Sequence, residues 1–301
     1  MTAIEIVSYS ELDTYRQCPL KHQLGYRERW VSGEQKPALA RGTVWHSMSE
    51  AHYRVIQRAQ AADHPLHDWR KDPALEGQLQ IEARQAAVRA LVDSGINDEE
   101  TDLLWWMYEG YVKMWGLDPQ WRIRAVEHNV VIPLREPSGR KSRFRVKAKI
   151  DLVVDRLDLP GTPTVIVDHK SGRNFATGKE LDIDDQFSLY EWLLRSVGKP
   201  CLGSIHNAAR TQRNKGPMAL EDRFARTPMA RGPEELDYVA TDALKVAKAT
   251  RTPPERRYSS PNPETCKWKC DFLDVHMAHR KGADLQQVLG AFGFTQNFDR
   301  H

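Results

Sequence analysis

Apolar positions recur along this chain at two periods, and one gives way to the other near residue 121. Before that point the helical period dominates. In SYSELDTYRQCPLKHQLGY, Ser8 and Glu11 stand in capping-box spacing, and Leu12, Tyr15 and Pro19 bracket a short amphipathic helix ending near Cys18. From about Thr43, Val44, Met48, His52 and Val55 recur at helical spacing with Gly42 as a loop residue before them, so His46 falls in the first turn. Residues 76–117 read as two helices broken at SGIND; they hold no titratable constellation, and a covering role is expected of them.

Beyond 121 the stretches RIRAVEHNVVIPL, RFRVKAKIDLVVD and TVIVDHKSG alternate or run apolar, rich in Val and Ile, and predict three strands. DIDDQFSLYEWLLRSVGKP predicts one helix with acidic residues at its start. Its apolar face is Ile183, Phe187, Tyr190, Leu194 and Val197, and Gly198 and Pro200 stop it. CLGSIHNAA returns to strand character, EELDYVATDALKVAKAT predicts a last long helix, and the Pro-rich TPPERRYSSPNPE leads into TCKWKCDFLDVH. The pattern predicts an α/β protein without internal repeats, its sheet beginning near 121.

The second and third strands, joined by the turn-rich RLDLPGTP, form an antiparallel hairpin centred near Leu159 and Pro160, which sets Asp151 opposite Asp168. Because side chains alternate along a strand, Asp168 and Lys170 share a face and His169 points to the other. Each aspartate adjoins apolar strand, where an unpaired charge is costly, so a cation is expected beside them. Mg²⁺ suits two carboxylates plus waters and phosphate oxygens, and Lys170 stands where it can balance charge or orient a water. That combination points to phosphodiester hydrolysis, although an isolated D-x-K is most often a buried ion pair.

Composition narrows the setting. The 301 residues suffice for one large or two modest domains, and 40% hydrophobic with 28% charged residues marks an ordinary globular chain. With 44 Lys and Arg against 41 Asp and Glu, the net charge is only +3, so nucleic-acid binding requires a local basic surface. Candidates are Arg210, Arg213 and Lys215 in RTQRNKG, and Lys267 and Lys269 beside the cysteines. No apolar run approaches membrane-spanning length and no basic-then-apolar leader opens the chain, so an intracellular, cytoplasmic protein is expected. In a reducing compartment the clustered Cys266 and Cys270 favour metal over a disulfide.

The series GTVWH, KIDLVVD, VDHKSG and QFSLY resembles the RecB-like branch of the PD-(D/E)XK nuclease superfamily over about residues 10–280. That branch includes CRISPR-associated RecB-like exonucleases, AddB nuclease domains and exonuclease V. The resemblance implies a restriction-endonuclease-like core, a mixed central sheet flanked by helices, with a helical cover and a C-terminal cysteine segment. On this reading 1–301 is a single nuclease domain: N-terminal helices with Cys18 and His46 (1–60), a helical insertion (61–120), the catalytic core (121–215), and a C-terminal helix and cysteine segment (216–301).

By the same resemblance His46, Asp151 and Asp168 are metal ligands, the His169 backbone carbonyl is a further one, and Lys170 is the catalytic lysine. Gln186 and Tyr190 match the Q-x-x-x-Y signature and are expected to contact DNA. Ala148 stands where relatives often carry glycine. Glu127 falls where they often carry a glutamate, and a supporting role is expected of it. Many relatives hold a 4Fe-4S cluster with one N-terminal and three C-terminal cysteines. Cys18 matches the first position, but Cys266 and Cys270 are in C-x3-C rather than C-x2-C spacing, and His276 replaces the last cysteine. An iron–sulfur cluster, a Cys₃His zinc site and no metal all remain open.

The function implied is a Mg²⁺- or Mn²⁺-dependent DNA exonuclease acting on ends or single strands. The alternatives are a double-strand exo- or endonuclease and a nonenzymatic DNA-binding subunit. No G-x-x-x-x-G-K-S/T stretch occurs, so any helicase or recombination partner is expected to be a separate chain.

Overall fold

Elements of both periods are present in the computed structural model, which describes residues 3–33, 36–214, 216–252 and 261–298. The first half of the chain holds β1 (Glu5–Ser8), α1 (Tyr9–Gln17), α2 (Pro19–His22), β2 (Trp30–Ser32), α3 (Pro37–Ala59), α4 (Pro73–Asp93), α5 (Asp98–Trp115), β3 (Trp121–Arg135) and β4 (Lys141–Arg156). The second holds β5 (Thr164–Gly172), α6 (Gly178–Asp182), α7 (Asp185–Ser196), β6 (Ser204–Arg210), β7 (Phe224–Met229), α8 (Pro233–Ala249), α9 (Pro263–Lys269), α10 (Leu273–Arg280), α11 (Leu285–Ala291) and β8 (Phe294–Gln296). They fall into two compact units, one of 1–36, 133–147 and 240–301, the other of 37–132 and 148–239. Lys215, the side chains of Trp268 and Lys269, and most of the Pro-rich stretch before α9 lie outside the described residues.

In the first unit β1 pairs parallel with β4, from Glu5 opposite Phe144 to Ser8 opposite Lys147. The sheet therefore does not begin near 121; a strand this short leaves too few alternations to be read. Ser8 caps α1 by accepting from the Glu11 N–H, and the helix ends at Cys18 as expected. Glu11 itself turns to His22 Nε2 at 3.1 Å. Helices α10 and α11 and the antiparallel β2–β8 pair enclose a small cluster of Leu24, Phe272, Val275, Leu289 and Phe294.

The second unit carries a mixed sheet. β4 and β5 are antiparallel, β5 and β6 parallel, and β6 and β7 antiparallel. The short β7 contains Pro228, which an edge strand tolerates because its missing donor costs no ladder bond. Helices α3, α4 and α5 cover the sheet: Trp45, Met48, Ile56, Leu79 and Met107 are buried in one cluster with Leu152, Val154, Val167 and Ile205. Among the described residues no helix is long and apolar enough to cross a membrane.

Two helix boundaries differ from expectation. α3 starts at Pro37, whose preset φ and missing N–H suit a first turn, so Gly42 lies inside the helix and His46 beyond its first turn. The helix expected from DIDDQ onward is split, because Asp184 accepts the Gln186 N–H at 2.9 Å and starts a new one. Ile183 at the break is 80% exposed and Val197 past the end 44%, so the buried face narrows to Phe187, Tyr190 and Leu194.

Between α3, α5 and the sheet lies a buried polar network. Arg226 on β7 donates to both oxygens of Asp118, at 2.5 and 2.9 Å. The hydroxyls of Tyr53 and Tyr111 join that pair, and Asn207 Nδ2 donates to Tyr111 at 2.7 Å and meets His169 Nδ1 at 2.8 Å. His52, 1% exposed, sits against Tyr108 with Nδ1 to hydroxyl 3.0 Å, and burial pushes its pKa down from 6.5 to about 4. The unfolded chain thus takes up a proton that the folded chain refuses. Stability is unaffected above pH 6.5 and falls as pH drops from 6.5 toward about 4. The expected loss from this one group is about 3 kcal/mol. Urea unfolding across that range will show a shallower decline in His52→Gln than in the parent.

Candidate active site

The hairpin of β4 and β5 has the register read from its turn. Leu152 pairs with Val167 and Asp155 with Thr164, and the next step of that ladder brings Asp151 to Asp168. Both aspartates are buried, at 7% and 3% exposure, and the His169 N–H donates to Asp151 Oδ2 at 2.8 Å. From α3, His46 places Nδ1 3.1 Å from the same oxygen. Lys170 Nζ lies 2.8 Å from Asp168 Oδ2.

Gln186, on the first turn of α7, ties these groups together. Its Oε1 accepts from Lys170 Nζ, and its Nε2 donates to Asp168 Oδ1 and to the Tyr190 hydroxyl, each at 3.1 Å. Helical i, i+4 spacing brings Gln186 beside Tyr190. Where DNA contact was expected of both, the amide of Gln186 is engaged at both ends inside the site, and Tyr190 is only 8% exposed.

The ligand atoms of His46, Glu127 and Asp151 all lie within 4.8 Å of one another, the one such group among the described residues. Glu127 thus stands with the candidate ligands rather than behind them. Its backbone departs from the strand here: φ is 51° in mid-strand, just after the buried positions of β3 pass from odd (Trp121, Ile123) to even (Val126, Val130, Leu134). An irregularity of this kind in a strand can re-aim the side chain beside it. That phase slip is legible in RIRAVEHNVVIPL once the apolar positions are counted from both ends.

The charges of the site are strongly interdependent. Burial opposes ionisation of His46, but Asp151 and Asp168 outweigh it and hold its pKa above the ordinary value. Burial likewise works against the Asp151 charge, yet His46 and the His169 N–H keep its carboxyl below the usual range. Burial pushes Asp168 up to about 6, against the pull of Lys170. Glu127 Oε2 and Asp168 Oδ2 are buried without a hydrogen bond of good geometry, although Lys149 and Lys170 stand close by. One imidazole and several carboxylates with unfilled lone pairs fit a divalent cation that accepts nitrogen and oxygen donors.

The cysteine segment is less complete. Cys18 and Cys266 both act on the titration of Cys270, whose pKa burial raises, so the three thiols share one electrostatic neighbourhood. The three sulfurs do not all lie within 4.8 Å of one another, and the groups acting on the buried His276 are Arg280 and His279, not thiols. A tetrahedral Cys₃His zinc site, with zinc–sulfur bonds of about 2.3 Å, does not fit this arrangement. Cys201 belongs to the other unit, where it is buried with its thiol near the Gly203 carbonyl.

None of the curated proteins matches this chain. Among solved structures it is similar to SSO0001, with 12% identity, a TM-score of 0.32, and coverage of 75% of this chain and 82% of that one. It is also similar to a "putative exonuclease" from Eubacterium rectale, with 13% identity, a TM-score of 0.43, and coverage of 88% and 93%. The family match is broader: the sequence profile of the PD-(D/E)XK nuclease superfamily covers residues 6–275. A match over that span, through every residue of the acidic hairpin, shows that the chain belongs to the PD-(D/E)XK nuclease superfamily.

Proposed function

We propose that this protein is a metal-dependent exodeoxyribonuclease that hydrolyses phosphodiester bonds at DNA ends or on single strands, with Mg²⁺ or Mn²⁺ as its cation. The observation that carries this reading is the convergence of His46, Glu127 and Asp151 beside the Asp168–Lys170 pair. His46, Glu127 and Asp151 hold the cation, with Asp168 and the His169 carbonyl completing its shell. Bound there, it lowers the pKa of a water and offsets charge on the scissile phosphate. Lys170 directs its ammonium at the attacking water or a phosphate oxygen. Gln186 keeps Lys170 and Asp168 from moving relative to each other.

In the same reading, Cys18, Cys266 and Cys270 hold an iron–sulfur cluster of structural role, with the fourth ligand supplied from outside this trio. Visible absorption and iron and zinc analysis of protein purified without oxygen will test it; colourless, iron-free protein that folds normally removes the cluster.

The test of the activity uses end-labelled single- and double-stranded DNA with Mg²⁺, Mn²⁺ or chelator. Release of nucleotides from the ends of single strands, abolished by chelator, is expected. Cleavage confined to duplex or within strands selects the double-strand or endonuclease reading. Binding without any cleavage by folded, metal-supplied protein selects a nonenzymatic subunit.

A further inference from the structure

Strand β4 carries a second pattern, distinct from its aspartate. In KSRFRVK every other residue is a cation: Lys141, Arg143, Arg145 and Lys147. Lys141, Arg143 and Lys147 are exposed, while the interleaved Phe144 and Val146 are 2% and 0% exposed, so one face is core and the other a ladder of positive charge. Arg143 reaches Glu5 at 3.3 Å. Among the described residues Lys141, Arg145 and Lys147 have no carboxylate within ion-pair distance.

Two further features separate this ladder from an ordinary solvated strand face. Ile6, opposite Arg145 in the β1–β4 register, is 50% exposed, and Ile4 is 58% exposed, so an apolar rail runs beside the cations. At its start the ladder opens into a hollow of about 470 Å³ lined by Arg140, Lys141, Arg143 and Lys248, whose Glu136 is tied to Lys248 at 2.7 Å. Cations in line for phosphates and exposed apolar groups for base faces are what a nucleic-acid strand requires.

Length selects the kind of strand. Alternate β residues recur every ~6.7 Å, so Lys141 to Lys147 spans about 20 Å in a nearly straight row. One strand of a duplex rises about 3.4 Å per nucleotide, so 20 Å takes some six base pairs. That exceeds half of a turn of about 10.5 base pairs, and the phosphates would have rotated to the far side. An extended single strand keeps its phosphates along the row.

We infer that the Lys141–Arg143–Arg145–Lys147 face of β4, with Ile4 and Ile6 beside it, is a binding track for single-stranded DNA. The strand continues through Lys149 to Asp151. The inference rests on the nuclease reading for its choice of DNA as ligand.

The test is binding of labelled oligothymidylates of increasing length to the full-length Asp168→Asn variant in chelator, across a range of salt. Its arms are the same protein with Lys141→Gln, Arg145→Gln and Lys147→Gln, and a control with Arg89→Gln, Lys113→Gln and Lys245→Gln, which removes equal charge elsewhere. The track variant is expected to bind at least tenfold more weakly. Its log-affinity against log-salt slope should be shallower by about 2, at about 0.7 per lost single-strand phosphate contact. Unchanged binding, an equal loss in the control, or tighter binding to anionic phospholipid vesicles than to DNA overturns the track. Cleavage by the parent protein is scored separately. Binding that depends on the ladder without cleavage sinks the nuclease reading and leaves the track, while cleavage indifferent to the ladder does the reverse.

Discussion

Asp168→Asn will cut DNA on the order of 10³-fold more slowly than the parent protein at saturating Mg²⁺, and will fold at least as stably. In the proposed mechanism the rate loss follows from removing a charge at the cation: several kcal/mol of transition-state stabilisation are at stake, and each 1.36 kcal/mol is a factor of ten. The stability follows from burial, which already pushes the Asp168 carboxyl up to about 6, so an uncharged isostere relieves a desolvation cost. Lys170→Ala belongs to the same class, because its Nζ is 2.8 Å from Asp168. Gln186→Leu should cost less, about 10- to 100-fold, the usual effect of removing a group that orients others. Single-turnover rates beside thermal melts separate these outcomes. An Asp168→Asn enzyme within tenfold of the parent would sink the site.

The largest expected loss of stability lies at Arg226. Arg226→Met should destabilise the fold by about 3–5 kcal/mol, because it strands Asp118, which is 0% exposed, as an uncompensated buried charge. The guanidinium also lies 4.0 Å from the ring of Trp115 and 3.9 Å from that of Trp121, and it donates to the Tyr111 hydroxyl at 2.9 Å. Replacing both charges, Arg226→Met with Asp118→Leu, should recover most of the loss, since a buried pair exchanged for apolar groups is often neutral. Urea unfolding of the two singles and the double gives the coupling. A single variant within 1 kcal/mol of the parent would show that water reaches the pair. Asn207 joins this network to His169, whose N–H holds Asp151, so the singles should also slow cleavage without touching the site.

The hairpin was legible because its chemistry is local: turn residues set the register, and strand alternation put Asp168 and Lys170 on one face. The family resemblance added His46 and Gln186, which no periodicity could connect to the hairpin across so many intervening residues. What escaped notice depends on contacts remote in sequence. β1 is a strand because β4 pairs with it, and β7, with Arg and Pro in FARTPM, is one because β6 supplies its partner. Arg226 and Asp118 look like surface charges in sequence, and only the fold makes them neighbours. Gln186 stands out in the sequence only through its Q-x-x-x-Y match. Its partners, Lys170 and Asp168, are visible only once α7 is set beside β5.

β3 has a parity that its two ends do not share. Trp121 and Ile123 face inward on odd numbers, Val126, Val130 and Leu134 on even ones, and the count changes just ahead of the glutamate. An indel of one residue in this strand is therefore not a local event. Removing one at the slip restores an unbroken alternation that keeps both apolar sets inward, whereas removing or adding one elsewhere in the strand turns the apolar side chains on one side of the change to the opposite face. Length, as much as residue identity, is under constraint here.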